Sequence, residues 1–320
     1  GVRRWMRRSN RARPRRPPRR PREAPRGPPA PPPRRRSTHD AGCAEQDLRA
    51  LAADPLPPVP EPPPGSAPPR GLRDRRGEGA ALAAIAALAG ADRGVVAVVA
   101  DAARRREALE AAIDPGRVGA EVVVLGGGRC GADALARRLE LARGVPSLAV
   151  LEYADLPRVA PPDDAHLVLV DPPASHEEAE WAVHRAAGRW LHLAWGSPEV
   201  AAALAASEER WELRPTVTAL WIALRDGEPR QWGPELSAQI LGDPALPRRP
   251  RVAARALAVL AELGLVSLDA SGVRAVPDPV RRDLEELAVY RAARERLARQ
   301  EEFLSRAMTL DLLAPAVAAV

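Results

Sequence analysis

The chain has 320 residues, 46% of them hydrophobic and 28% charged, with a formal net charge of +6, which suits one large or two small domains. Residues 1–36 hold fifteen arginines against the single acid Glu23, a formal +14, so the rest of the chain carries −8 and the basic balance says little about a folded body. Two cysteines far apart, Cys43 and Cys130, exclude a disulfide framework or a cysteine zinc site and point to a reducing cytoplasm.

Nineteen of the 36 prolines precede residue 71, in stretches such as "RARPRRPPRRPREAPRGPPAPPPRRR" and "DPLPPVPEPPPGSAPP". A segment with so little to bury cannot offset its ordering entropy, so residues 1–70 read as a disordered or polyproline tail. Its arginines suit a phosphate-binding arm, a solvated linker, or a GC-rich gene read in a shifted frame. The opening Gly1 is what a fragment would show. Arg3 and Arg4 precede no apolar export segment. The longest apolar run, Ala80–Ala91, is shorter than the roughly 20 residues that span a bilayer.

From "GLRDRRGEG" onward, strands and helices alternate. The expected strands are 95–100, 121–125, 147–152, 166–170 and 190–195, separated by the helical patterns "AARRREALEAAI", "GADALARRLELA" and "SHEEAEWAVHRAA". Continuous apolar strands joined by helices imply a parallel sheet covered on both faces. With right-handed crossovers, residues 71–232 read as a five-strand, doubly wound, mostly parallel Rossmann-like α/β domain.

After the helical stretch "VTALWIALRDG", the grammar changes near residue 233. "GPELSAQILGD" forms one expected helix and "RVAARALAVLAELGLV" a second, with Val252, Ala256, Val259, Leu260 and Leu263 on its apolar face and Gly264 at its left-handed cap. "LVSLD", "ASG" and "VRAV" make a short hairpin. Helix, helix, hairpin is the order of a winged helix, so residues 233–320 read as a winged-helix domain closed by a charged helix over 278–306.

Four groups of residues invite a functional reading. Gly126, Gly128 and Gly131 have the G-x-G-x-x-G spacing between a strand and a helix, with Glu152 ending the next strand where a ribose acceptor belongs; this would bind NAD, FAD or S-adenosylmethionine. Against it, an upstream strand and helix already hold a place in the sheet, and Gly131 also suits tight helix–strand packing. "VDPPAS" at 170–175 is similar to the base-gripping loop of amino-group methyltransferases, but Ala174 stands where the aromatic residue belongs. His176, Glu180 and His184 share one helix face, the stripe of a metal site or of a solvated surface. Arg248, Arg249, Arg251 and Arg255 open the second helix of the winged-helix segment and Arg274 lies on its wing, where they would meet nucleic acid or partner proteins.

The succession "GLRDRRGEG", "VVAVVADAARRREAL", "HLVLVDPPAS", "LHLAWGSPEVAAAL", "ELRPTVTALWIALRDG", "RVAARALAVLAELGLV" and "EEFLSRAMTLDLL" resembles the C-terminal region of RecJ-type single-stranded-DNA exonucleases from GC-rich bacteria, over residues 71 to about 313. The resemblance implies 5′ to 3′ degradation of single-stranded DNA in repair and recombination, with magnesium or manganese held by an Asp/His cluster that includes an Asp-His-His triplet. The nearest string here is His39-Asp40 in the tail, and no Asp/His cluster follows it. No catalytic or metal residue is therefore carried over. The expectation is an accessory, non-catalytic region contacting single-stranded DNA or repair proteins, with a Rossmann-type enzyme or a stand-alone winged-helix DNA-binding protein as alternatives.

Overall fold

The computed structural model describes residues 48, 52, 54–64, 67–79, 81–90, 94–112, 121–124, 147–225, 230–242, 248–280 and 282–312, all within one compact unit. Gly126, Gly128, Gly131, the helix expected after them and residues 1–47 lie outside the described residues.

Six strands form one parallel sheet: β1 (Gly71–Asp74), β2 (Val95–Val99), β3 (Glu121–Val124), β4 (Ser147–Glu152), β5 (His166–Leu169) and β6 (Trp190–Leu193), in the order β1-β6-β5-β2-β4-β3. The central strand β2 is buried throughout, because helices cover both faces and an apolar side chain is favoured at every position. Val96 and Val98 pack with Leu167, Leu169, Leu191 and Leu193 on one face, while Val95, Ala97 and Val99 pack with Val168 and Val170 on the other. Helices α1 (Ala81–Gly90) and α2 (Ala102–Ala112) cover the second face through Ile85 and Leu109. Helix α3 (His176–Arg185) covers the first through Trp181, Ala182 and Val183, and starts at a cap where Ser175 Oγ accepts from Glu178 N–H at 3.3 Å.

The five expected strands are present, and β1 is added to them. β1 escapes pattern reading because Leu72, Arg73 and Asp74 are all exposed, so no alternation marks it; its register to β6, with Gly71 beside Trp190 and Asp74 beside Leu193, makes it a strand. A second difference concerns the proline-rich segment, expected to be disordered through residue 70. Residues 54–64 and 67–70 lie along the fold: Val59 and Leu56 pack on the cores, Trp181 Nε1 donates to Pro60 O at 2.5 Å, and Pro69 bridges Ala187. Prolines lose little backbone entropy on ordering, so a few apolar anchors suffice to hold them.

The remaining helices build a second core beside the sheet: α4 (Ser197–Trp211), α5 (Arg214–Leu224), α6 (Pro234–Leu241), α7 (Pro250–Glu262) and α8 (Ala288–Ser305). Between α7 and α8, β8 (Val266–Leu268) and β9 (Gly272–Ala275) pair antiparallel, and the short β7 (Arg230–Gln231) adds to β9. The expected helix, helix and hairpin thus occur in that order. Gly264 has φ +70°, with its own N–H bonded to Ala261 O and Leu265 N–H to Leu260 O, the paired bonds of a left-handed helix cap. The charged closing segment divides into a 3-10 turn at Leu284–Glu286 and α8, whose inner face is Tyr290, Ala293, Leu297 and Leu304.

Candidate functional site at the carboxyl edge of the sheet

In an open α/β sheet, ligands settle where neighbouring strands send their connections in opposite directions, outside the carboxyl ends. Here that crevice lies between β2 and β5. The connection from β2 runs towards β3, and that from β5 runs towards β6. Three carboxylates gather at this edge: Asp101 after β2, Glu152 at the end of β4 and Asp171 after β5, exposed by 4%, 7% and 1%.

Each carboxylate is held by fixed donors. Asp171 accepts from Ala100 N–H at 2.9 Å and from Arg105 Nη2 at 2.5 Å. Burial raises its carboxyl, and Arg105 opposes that rise without cancelling it. Glu152 accepts from Ala102 N–H, at the start of α2, at 3.0 Å. Arg249, the residue before α7, spans two of the acids, with Nη2 at 2.5 Å from Asp101 and Nη1 at 3.2 Å from Glu152. Burial pushes the Asp101 carboxyl up, but Arg249 and Arg104 outweigh it and hold the group below the usual carboxylate range.

Arg210, in the last turn of α4, donates to Ala100 O and stands 3.6 Å from Glu152. Arginines of the helical core thus engage Asp101 and Glu152, while Arg105 of α2 engages Asp171. The charge of the carboxylate trio is already matched by Arg105, Arg210 and Arg249. Chemically, the edge is a clamp that fastens the helices to the sheet.

Two half-buried carboxylates flank the clamp. Asp155, in the 3-10 turn Tyr153–Asp155, bonds to Glu152 N–H at 3.1 Å, and burial with the neighbouring Glu152 raises its carboxyl to about 6. Burial likewise raises Glu178 against the pull of Arg210, while its Oε2 accepts from Ala174 N–H at 2.8 Å. Ala174 packs with Ala100, Ala203, Ala206 and Leu304. The Asp171-Pro172-Pro173-Ala174 loop thus turns the chain beneath α4, with a methyl group in place of a base-stacking ring.

The arginines expected to reach nucleic acid are dispersed. α7 is buried from Val252 to Leu260, Arg255 included, so it is the centre of its core. Arg255 donates to Pro55 O and Arg210 O, each at 3.1 Å, and its guanidinium lies 3.8 Å from the Trp211 ring. Burial, with Arg251, Arg296 and Arg210 nearby, lowers it to about 9. Arg248 Nη1 donates to Ile240 O at 3.0 Å. Arg251 is half-buried, and burial with Arg158 beside it lowers its pKa. Of the five, Arg274 alone is exposed rather than half-buried or buried, on β9 opposite Ser267.

On α3, His176 Nε2 meets Glu180 at 3.1 Å, whereas His184 turns edge-on to Trp181 with ring centroids 5.2 Å apart. Among the described residues, no group of three or more His, Cys, Asp or Glu converges as metal ligands do, and no helix is long and apolar enough to cross a membrane.

Sequence reasoning missed Asp101, Arg105 and Arg210 as members of the edge. An acid directly after a fully apolar strand was the available signal for Asp101, but Arg210 sits in "SEERW", which reads as a solvated helix end. No protein-family model matches the chain, and no curated protein sequence matches it.

Proposed function

We propose that this chain is the accessory, non-catalytic C-terminal region of a RecJ-like single-stranded-DNA exonuclease of the cytoplasm, contacting DNA or partner proteins in repair and recombination. The segment order resembling that family motivates the reading, and the helix, helix and hairpin after residue 233 fit a winged-helix module within it. The observation that carries the non-catalytic half is the charge-matched edge: Arg105, Arg210 and Arg249 neutralise Asp101, Glu152 and Asp171 where a substrate or cofactor would otherwise lie. The divalent metals of the resembled family belong, on this reading, to a catalytic region separate from these residues.

The test pairs binding with hydrolysis. Labelled single-stranded DNA is incubated with the full chain, and with residues 37–320, in magnesium or manganese. Binding without nucleotide release is expected. Metal-dependent release that survives repurification and disappears in His176→Ala or His184→Ala would overturn the reading.

A further inference from the structure

The opposite, amino edge of the sheet carries chemistry that the clamp does not use. Trp190 opens β6 beside Gly71 of β1, and a methyl group at Gly71 would lie 2.4 Å from the Trp190 ring, so glycine there lets the indole lie flat against the edge strand. His166, which opens β5, lies nearly parallel to it, with an interplanar angle of 10° and centroids 6.4 Å apart. Its Nδ1 is 2.8 Å from Nε2 of the buried His192, which fixes the imidazole plane. A cavity of about 350 Å³ opens over these rings, lined also by Leu88, Arg70 and Asp164.

Arg70 on the cavity wall and Arg73 on the adjoining strand β1 are exposed, and among the described residues no carboxylate pairs with either, since Asp74 is taken by Arg76 at 2.6 Å. Arg73 lies over the Trp190 ring, 5.1 Å from its centroid. On the far rim, Asp163 is held by Arg189 at 2.7 Å, while Asp164 presents an exposed carboxylate.

We infer that this amino edge is a single-stranded nucleic-acid site, in which a base stacks on Trp190 and its phosphates lie on Arg70 and Arg73. Partly exposed aromatic faces flanked by unpaired arginines are what sequence-tolerant single-strand binding uses: the ring takes any base, and the guanidinium groups track the backbone. Arg73 already covers the indole as a base would, and moves to phosphate when a base replaces it. Asp164 accepts from base amino or imino groups and repels phosphate, which orients the strand with its backbone towards β1. The site rests on the DNA-contacting role proposed above and places that contact on the sheet, away from the inward-turned arginines of α7.

Fifteen arginines in residues 1–36 would attract DNA by charge alone, so the readout must be local. The full chain is labelled with 5-fluorotryptophan, whose seven resonances include one assigned to Trp190 by Trp190→Phe. Titration with (dT)8 should shift or broaden that resonance and leave those of Trp181 and Trp195 in place. Thymidine monophosphate should move it in the same direction at higher concentration. In the Arg70→Ala, Arg73→Ala variant the concentration needed should rise about tenfold. Anisotropy of labelled (dT)8 runs in parallel. Saturable binding with the Trp190 resonance stationary, or an unchanged midpoint in the arginine variant, would overturn this site and leave DNA contact elsewhere intact. No binding by anisotropy would overturn both.

Discussion

Arg249 Nη2 stands 2.5 Å from Asp101 Oδ2, so the residue that enters α7 is fastened to the residue that leaves β2, and this buried ion pair is one of those that join the two cores. Removing one partner strands a charge with little water to solvate it. Arg249→Met should therefore destabilise the fold by about 3 kcal/mol, measured as the urea midpoint. Adding Asp101→Asn should restore part of the loss, because it removes one of the stranded charges. A single variant within about 0.5 kcal/mol of wild type would mean that the pair is solvent-screened like a surface bridge.

Asp155 makes stability depend on pH with a defined sign. Its carboxyl is raised from 3.8 to about 6, by burial first and by Glu152 second, so the folded protein holds this proton more tightly than the unfolded chain. The linked stabilisation is complete below about pH 4 and is lost as pH rises through about 6. Asp155→Asn keeps an acceptor for Glu152 N–H and removes the titration. It should match wild type near pH 4 and exceed it by roughly 1–3 kcal/mol at pH 8. Urea midpoints at the two pH values decide this, and a difference that does not grow with pH would refute it.

Gly272 lies under the β7–β9 pair with no room for a side chain: a Cβ there would sit 1.8 Å from Arg230 O and 2.9 Å from Gln231 Cα. Gly272→Ala should push β7 off β9 and cost about 2 kcal/mol or more. Trp232, whose Nε1 donates to Asp269 O at 2.9 Å, should change its emission together with a lowered melting temperature. An unchanged melting curve would show that the backbone yields easily.

The glycine spacing at Gly126, Gly128 and Gly131 follows β3, and β3 is the outermost strand of the sheet, two strands removed from the crevice between β2 and β5. Glu152, the expected ribose acceptor, is engaged by Arg249 and by Ala102 N–H. Calorimetric titration with NAD, FAD or S-adenosylmethionine should therefore give no saturable heat. Micromolar binding that Gly128→Asp abolishes would establish the nucleotide-enzyme alternative.

The strands β2, β4 and β5 were legible because burial on both faces demands uninterrupted apolar runs, and β6 because only His192 interrupts its run, a pattern that needs no partner to be recognised. The same holds for α7, whose repeat and Gly264 cap are local. Position in the sheet is not local. That β3 ends the sheet while β2 lies inside it, and that the polar "GLRD" becomes a sixth strand, follows from crossover routes and from β6 supplying hydrogen bonds. The arginines show the limit most clearly. Arg249, Arg251 and Arg255 crowd one helix start and read as a basic surface, because sequence reports charge without direction. Only the packing of α7 against α4 and the strand ends turns Arg249 to Asp101 and Arg255 onto Trp211, where buried cations persist because carboxylates, carbonyls and a ring face replace the water they lost.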